Sequence, residues 1–269
     1  MEDTAVIPEI TFSGETLFTF FFVAAFSFLI PTVAMVWWYK RTKCAIFPVF
    51  IGFVTYFCVS WVRAGFRALL LTDDVRADRW LFFLISALLS GVLEEIGRYV
   101  AMRYVMYDRY DDWKDAVTYG IGHCACESMF GVAPQAFGQF LICLDCNKRG
   151  AAALITSATP EGIQNQIDQL TGYSKTGLGE ALSELLTLGG LIPHIALSVL
   201  VFISVHYVMK KKYFCISMAL HTLLDFIPYL ISTFAVLAVF CLIPWIFDII
   251  LAVFVYRLYK KIKTEEDGY

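Results

Sequence analysis

Three ionisable residues interrupt a hydrophobic run in the first half of the chain. Residues 90–100 read SGVLEEIGRYV and follow RWLFFLISALL, a run typical of a lipid-facing helix. Glu94, Glu95 and Arg98 therefore stand where hydrocarbon is expected. A charged side chain at the centre of a bilayer costs about 3 kcal/mol on insertion scales, and such residues usually mark a functional site.

Later hydrophobic runs contain further ionisable residues. They are His123 and Glu127 in GIGHCACE, His194 in PHIALSVLVF, His221 and Asp225 in LHTLLDF, and Asp248 near the middle of the last run. A spacing of four residues puts two side chains on one helix face, where they can pair. This spacing relates Glu94 to Arg98, His123 to Glu127, and His221 to Asp225. His206 has no acidic partner near it, and we interpret it as a packing residue.

These residue types support two kinds of hydrolytic chemistry. A carboxylate beside neutral imidazoles can act as general base toward water, and histidine N–H groups can stabilise the resulting oxyanion. Alternatively, His123, His194 and His221 with an acidic residue could hold a zinc ion, which would lower the pKa of its water. The spacing does not separate these alternatives. The chain contains no G-x-S-x-G sequence, which argues against a serine nucleophile.

The composition predicts a membrane protein. Hydrophobic residues make up 59% of the 269 residues and charged residues 17%, whereas soluble domains average about 45–50% and 25%. The apolar blocks are about 20 residues long, which is enough to cross a bilayer. We predict one all-α membrane domain, a polytopic transmembrane helical bundle over residues 1–269. Its seven spans are 15–38, 44–62, 80–104, 116–144, 183–209, 213–233 and 235–257, with Pro134 kinking the fourth.

The placement of basic residues predicts the orientation. With the N-terminus outside, the inner segments contain 13 Lys and Arg residues and the outer ones 7, and positive charge is enriched in cytoplasmic loops. We therefore expect an N-out, C-in protein of the cytoplasmic membrane. The acidic start MEDTAVIPEITFSGE is unlike a cleavable signal peptide. We expect residues 63–79 to lie along the membrane interface, and 145–182 to form an external loop with one short helix.

The predicted spans place the polar groups at a common depth. At a rise of 1.5 Å per residue, Glu94 and Glu95 lie about 15 Å from the cytoplasmic end of the third span. His123, His194 and His221 reach a similar level from their own spans, and Asp248 does as well. Several ionisable groups at one depth need either one another or a water-filled cavity. Gly120 and Gly122 would allow the neighbouring helices to approach closely.

Four motifs in order on successive spans carry a family resemblance. EEIGR, GIGHCACE, HIALS and HTLLD together resemble the YhfC family of glutamic-type intramembrane proteases. That family is similar to the CAAX prenyl protease and bacteriocin-processing proteins and to the PrsW proteases. The resemblance covers roughly residues 80–230 and implies a shared site core there.

The resemblance also implies roles for the motif residues. Glu94, or its neighbour Glu95, would activate the water, and Arg98 would orient the pair. The remaining motif positions match His123 with Glu127, then His194, then His221 with Asp225. Many prenyl-protease relatives have Asn in place of Asp225. An ionised Asp cannot donate to an oxyanion, so this residue would orient His221 or bind a metal.

The leading hypothesis is therefore an intramembrane endopeptidase that acts on a membrane-associated peptide or protein. The glutamate mechanism requires no cofactor, although zinc would fit the histidines. The bilayer is the expected partner, and nucleic acid is not. One alternative is a non-catalytic scaffold or a bacteriocin-immunity-type protein. A second is a proton-coupled transporter, which the absence of an inverted repeat disfavours.

Overall fold

The computed structural model describes residues 7–157, 159–179, 190–207, 210–234 and 237–267. Every regular element in these ranges is helical. The helices are α1 Gly14–Thr42, α2 Phe47–Leu70, α3 Asp73–Ala77, α4 Arg79–Val100, α5 Trp113–Cys126, α6 Ala133–Arg149, α7 Pro160–Ser174, α8 Leu191–His206, α9 Lys212–Phe234 and α10 Leu237–Asp267. The fold is the predicted all-α bundle.

Four helical stretches are long and apolar enough to cross a membrane. They are Gly14–Thr42, Phe47–Leu70, Arg79–Met106 and Trp113–Arg149, and α8 is a shorter apolar helix. The third stretch includes a π-helical segment after α4 (Ala101–Met106), and the fourth includes one between α5 and α6 (Glu127–Val132). The predicted fifth span began at 183 and ended at 209, and both of its ends lie outside the described residues, as does the start of the seventh.

Pro134 lies at the first turn of α6, directly after the second π-helical segment. Proline lacks an N–H and its ring collides with the carbonyl of the preceding turn. A widened turn before the proline is one way in which a helix accommodates this conflict. The predicted irregularity in the fourth span is therefore present, and it begins at Glu127, a predicted site residue.

The predicted interfacial segment 63–79 is wrong in its first part. Helix α2 continues to Leu70, and only the short α3 follows before α4 begins. The predicted second span ended at residue 62, before Arg63, and Arg63 was placed in the interfacial segment. In the structure the guanidinium of Arg63 is paired inside the bundle with Glu94, so the helix can continue past it.

The predicted external loop also begins later than expected. Helix α6 extends to Arg149, beyond the predicted start at residue 145, and α7 is the short helix that was expected within the loop. The N-terminal segment packs on this region. The Asn147 side chain accepts a hydrogen bond from Phe12 N at 2.8 Å and donates to Phe12 O at 2.9 Å.

Helix α5 lies at the centre, between α2 and α8, and α4 pairs with both α2 and α9. The predicted close approaches at Gly120 and Gly122 are present. A Cβ added at Gly120 would lie 2.8 Å from Cα of Ile195 on α8, and one at Gly122 would lie 2.7 Å from Cα of Val49 on α2. Small residues thus bring α2, α5 and α8 together around one level of the bundle.

Candidate active site

Glu94 lies where three helices meet α4. Its side chain is almost fully buried, and Oε1 accepts a hydrogen bond from Arg63 Nη1 on α2. Its Oε2 lies 3.2 Å from His123 Nε2 on α5 and 3.6 Å from His221 Nε2 on α9. One carboxylate therefore faces a cation and two imidazoles from separate helices.

Glu95 is the more enclosed carboxylate of the two. It is completely buried, and its Oε2 accepts a hydrogen bond from the Ser217 hydroxyl at 2.5 Å. Its Oε1 lies 2.8 Å from His221 Nδ1 and 3.4 Å from Arg98 Nη2. Since a carboxylate can only accept, the proton of His221 is placed on Nδ1. The Nε2 lone pair of His221 is then directed toward Glu94.

Arg98 pairs with Glu95 and not with Glu94, the partner that the four-residue spacing suggested. Its Nη1 also donates to the His194 carbonyl at 3.0 Å and to Ser198 Oγ at 3.2 Å. Its Nη2 lies 3.3 Å from His194 Nδ1. Arg98 therefore connects α4 to α8 and fixes the position of His194.

His123 and Glu127 do not pair with each other. His123 contacts Glu94, whereas Glu127 Oε2 lies 2.5 Å from His194 Nε2. The turn between them is α-helical, with the Glu127 N–H bonded to His123 O, and the two side chains instead take partners on different helices, α4 and α8. His123 is fully buried and its ring lies edge-on to Tyr56, with ring centroids 5.0 Å apart.

The last predicted pair is loose. Asp225 Oδ1 lies 4.0 Å from His221 Nε2, at the limit of an ion pair. Asp248 is buried in α10, and it takes part in none of the contacts given above. His206 stacks on Phe202 and Tyr107, in agreement with its predicted packing role.

A cavity of about 370 Å³ adjoins the cluster. Its lining includes two carboxylates, Glu127 and Asp225, and the remaining lining residues are Arg63, Arg67, Ser86, Ala87, Ser90, Leu224 and Tyr229. The cavity is bordered by the last turns of α2, the first half of α4 and the second half of α9. It gives the buried cluster a polar route to the end of the bundle where α2 ends and α4 begins.

Sequence reasoning missed Arg63 and the two serines that complete the network, Ser198 and Ser217. Ser217 precedes His221 by four residues, and Ser198 follows His194 by four. The same spacing rule that related the acidic pairs could have found both. Arg63 could have been found from Arg67, since two arginines four residues apart at the end of an apolar run define one helix face.

The donor atoms fit a metal ion. Ligand atoms of Glu94, His194 and His221 all lie within 4.8 Å of one another, and all three residues are buried. Zinc binds imidazole nitrogens and carboxylate oxygens, and three protein ligands with a water are typical of catalytic zinc sites. The Nδ1 hydrogen bond from His221 to Glu95 matches the arrangement that orients metal-bound histidines. The set expected from sequence contained His123, whereas the structure groups Glu94 with the other two histidines.

The family model for the YhfC intramembrane metalloprotease matches residues 26–251 of the chain. The chain belongs to this family. A relative from Bacillus subtilis (strain 168), "Uncharacterized membrane protein YhfC", is 27% identical over 111 residues. That match covers 39% of this chain and 43% of the relative.

No solved structure matches the chain. Membership of the YhfC family agrees with the apolar helices, and the protein is a membrane protein. The further similarity to CAAX prenyl proteases and PrsW proteases stays an expectation.

Proposed function

We propose that this YhfC-family protein is an endopeptidase that hydrolyses a peptide bond of a membrane-associated substrate inside the bilayer. The observation that carries the proposal is the surroundings of Glu94. This carboxylate faces Arg63, His123 and His221 and lies beside a polar cavity in an otherwise apolar bundle. The metalloprotease description of the family supports the same reaction class.

Glu94, His194 and His221 are the residues that would hold a zinc ion. A bound zinc ion supplies Lewis-acid polarisation of a carbonyl and a water of lowered pKa. Glu95 would keep His221 in position by accepting a hydrogen bond from its Nδ1. Arg98 would hold the backbone at His194 by donating to the His194 carbonyl. Glu127 lines the cavity and contacts His194, so it is the carboxylate placed to accept a proton from water at the cluster.

The glutamate mechanism assigns the proton to a different residue. Without an ion, Glu94 would itself be the general base. His123 would donate a hydrogen bond to the oxyanion, as would His221 in the form that carries a proton on both ring nitrogens. Glu95 is disfavoured as the base because it is fully buried and its contacts with Ser217 and His221, at 2.5 and 2.8 Å, are shorter than those of Glu94 Oε2 with the histidines. Both mechanisms require Glu94.

The remaining parts of the proposal concern the membrane. We assign the protein to the cytoplasmic membrane, with seven spans, the N-terminus outside and the C-terminus in the cytoplasm. The substrate would be a peptide or a single helix that reaches the cavity from the bilayer.

Cleavage of a panel of single-span peptides in detergent, with products mapped by mass spectrometry, tests the reaction. Glu94→Gln keeps the shape and removes the charge, and we expect a loss of rate of at least about 10²-fold. Glu161→Gln, an exposed change on α7, should cleave like wild type. Equal cleavage by the Glu94→Gln and wild-type proteins would refute the assignment. Absence of cleavage by wild type, with Glu94→Gln fully functional in cells, would favour the scaffold alternative.

Metal analysis separates the two mechanisms. We expect about one zinc per chain in wild type and in His206→Ala, and little in His221→Ala, because three ligands are needed for a stable site. Chelation should then abolish cleavage, and added zinc should restore it. Full activity of the metal-free protein would instead support Glu94 as the base.

A further inference from the structure

Two arginines of α2 line the cavity, and only one of them is used by the cluster. Arg63 donates to Glu94, to Ser90 Oγ at 3.0 Å and to Tyr56 Oη at 3.1 Å. Arg67 lies one turn further along the same helix, is exposed and lines the same cavity. Within the described ranges no side chain accepts a hydrogen bond or an ion pair from its guanidinium. Arg67 is therefore a cation available to a ligand in the cavity.

A buried hydroxyl lies at the same level of the cavity. Ser86 on α4 is 8% exposed, and its Oγ has no hydrogen-bond partner among the described residues. It lines the cavity. Buried hydroxyl groups are normally satisfied, so an unused one beside a cavity indicates a polar ligand.

The register of α2 and α4 brings these two groups together. The helices are antiparallel, and the contact between Arg63 and Ser90 fixes their alignment. Arg67 lies four residues beyond Arg63, and Ser86 lies four residues before Ser90. Both displacements are about 6 Å toward the same end of the helix pair. Arg67 and Ser86 thus face the same part of the cavity, and Ser86 lies about 12 Å, or two turns of α4, from Glu94.

We propose that Arg67 and Ser86 form a subsite that binds a carboxylate of the substrate. A guanidinium presents paired N–H donors that match the two oxygens of a carboxylate, and the serine hydroxyl can donate a further hydrogen bond. Glu127 and Asp225 also line the cavity, next to His194 and His221 of the cluster, and their charges would keep an anion away from the cluster. The inference rests on the proposed function because it names what the peptidase recognises.

The spacing predicts where the carboxylate stands in the substrate. A displacement of about 12 Å corresponds to about four residues of extended chain at 3.3 Å per residue. The carboxylate would belong to an acidic side chain about four residues from the scissile bond. It could equally be the free C-terminus of a leaving segment of that length. These sources share one chemistry and differ in the peptide that supplies it.

Binding of matched single-span peptides to Glu94→Gln protein tests the subsite without turnover. One pair differs by Glu or Gln at a scanned position, and a second pair by a free or amidated C-terminus. We expect one acid form to bind at least about tenfold more tightly than its neutral form, as a charge-assisted hydrogen bond would give. A preference within the first pair identifies a side-chain carboxylate, and one within the second identifies a terminal carboxylate.

Substitutions at the subsite assign the preference to its residues. Adding Arg67→Gln should remove the preference, Ser86→Ala should reduce it, and Arg67→Lys should restore part of it. Arg79→Gln is the matched control, since Arg79 stacks on Phe83 outside the cavity lining. An unchanged preference in Arg67→Gln, or equal binding of acid and neutral peptides in both pairs, would overturn the proposal. The proposal would also be overturned if Arg67→Gln weakened binding of the protein to phosphatidylglycerol vesicles and left peptide binding unchanged.

The outcome for the subsite is distinct from the outcome for the reaction. If the wild-type protein prefers the acidic peptide through Arg67 but cleaves no peptide, the subsite proposal stands and the peptidase proposal fails. Where wild type cleaves, Arg67→Gln should raise the KM of the acidic peptide and leave its kcat nearly unchanged. The KM of the neutral peptide should not change.

Discussion

At the scale of residues, two adjacent glutamates have been given different surroundings by the geometry of one helix. Successive residues of an α-helix are rotated by about 100°, so Glu94 faces α2 and α5 while Glu95 faces α9. Glu95 meets a serine, an imidazole and an arginine. Glu94 meets Arg63 and the Nε2 atoms of two histidines. The first set holds Glu95 in place, whereas the Oε2 of Glu94 has only the longer contacts, of 3.2 and 3.6 Å, to the two imidazoles.

Glu95→Gln should therefore impair the site without removing its reactive group. Replacing a residue that orients a metal-binding or catalytic histidine typically costs about 10–100-fold in activity or metal affinity. We expect a smaller loss of cleavage rate than in Glu94→Gln, together with weaker zinc binding. Rates and zinc affinity can be measured on the same preparation.

Ser217→Ala offers a milder test of the same contact. It removes one hydrogen bond to Glu95 and should lower the rate by a smaller factor than Glu95→Gln. Ser204→Ala is its control, because the buried Ser204 hydroxyl donates to the carbonyl of Val201 in its own helix. A rate in Glu95→Gln as low as in Glu94→Gln, with folding intact, would contradict the division of roles.

The sequence predicted the members of the cluster better than it predicted their pairs. Helical spacing correctly collected Glu94, Glu95, His123, His194 and His221 at one level. It suggested partners within each helix, whereas the contacts of Glu94, and those of Glu95 apart from Arg98, run between helices. Relative rotation of the helices decides such contacts, and it depends on tertiary packing that one-dimensional spacing does not encode.

At the scale of elements, helix α4 is held against α9 by a close approach next to the site. A Cβ added at Gly91 would lie 2.6 Å from the backbone nitrogen of Thr222. Thr222 follows His221, and Gly91 precedes Glu94 by three residues. The hydrogen bond of 2.8 Å between Glu95 and His221 therefore depends on a helix separation that only glycine permits here.

Gly91→Ala should push these two helices apart. Overpacking a close contact typically costs about 1–3 kcal/mol, and we expect a lower Tm and a slower cleavage rate. Gly138→Ala on α6 is the matched control, because its Cβ would meet nothing within 4 Å. Thermal unfolding followed by tryptophan fluorescence measures the first effect. Equal Tm values for the two variants would show that α4 and α9 can relax without cost.

The observed end of α2 shows why helix ends were predicted less accurately where an apolar run meets a charged residue. The apolar run was taken to stop before Arg63, yet the helix continues to Leu70. A hydropathy pattern treats each charge as facing lipid or water. A charge that faces a carboxylate inside the bundle is invisible to such a pattern. The same tertiary contact explains both the longer helix and the missed residue.

At the scale of the whole molecule, the revised helix limits sharpen the distribution of charge. Arg63 lies within α2 and its guanidinium is paired with Glu94 inside the bundle, so it no longer counts as a loop charge. Arg67 lies in the last turn of α2 and still counts, because the bias that sets membrane orientation is counted over loops and helix ends. The basic residues of the predicted outer segments then fall from 7 to 6, while the inner segments keep 13. The N-out orientation stays a prediction, and this count continues to favour it.

Reporter fusions test this orientation and, with it, the side from which the cavity opens. A fusion after Asp111, between α4 and α5, should give fluorescent GFP and inactive alkaline phosphatase, because the segment would be cytoplasmic. A fusion after Lys175, just beyond α7, should give the opposite pair. Since the cavity adjoins the end of α2 and the start of α4, it would then open toward the outer side. The reversed pattern at both positions would show the opposite orientation, in which the cavity opens toward the cytoplasm. Equal signals at both positions would instead contradict the crossing of the membrane by residues 113–149.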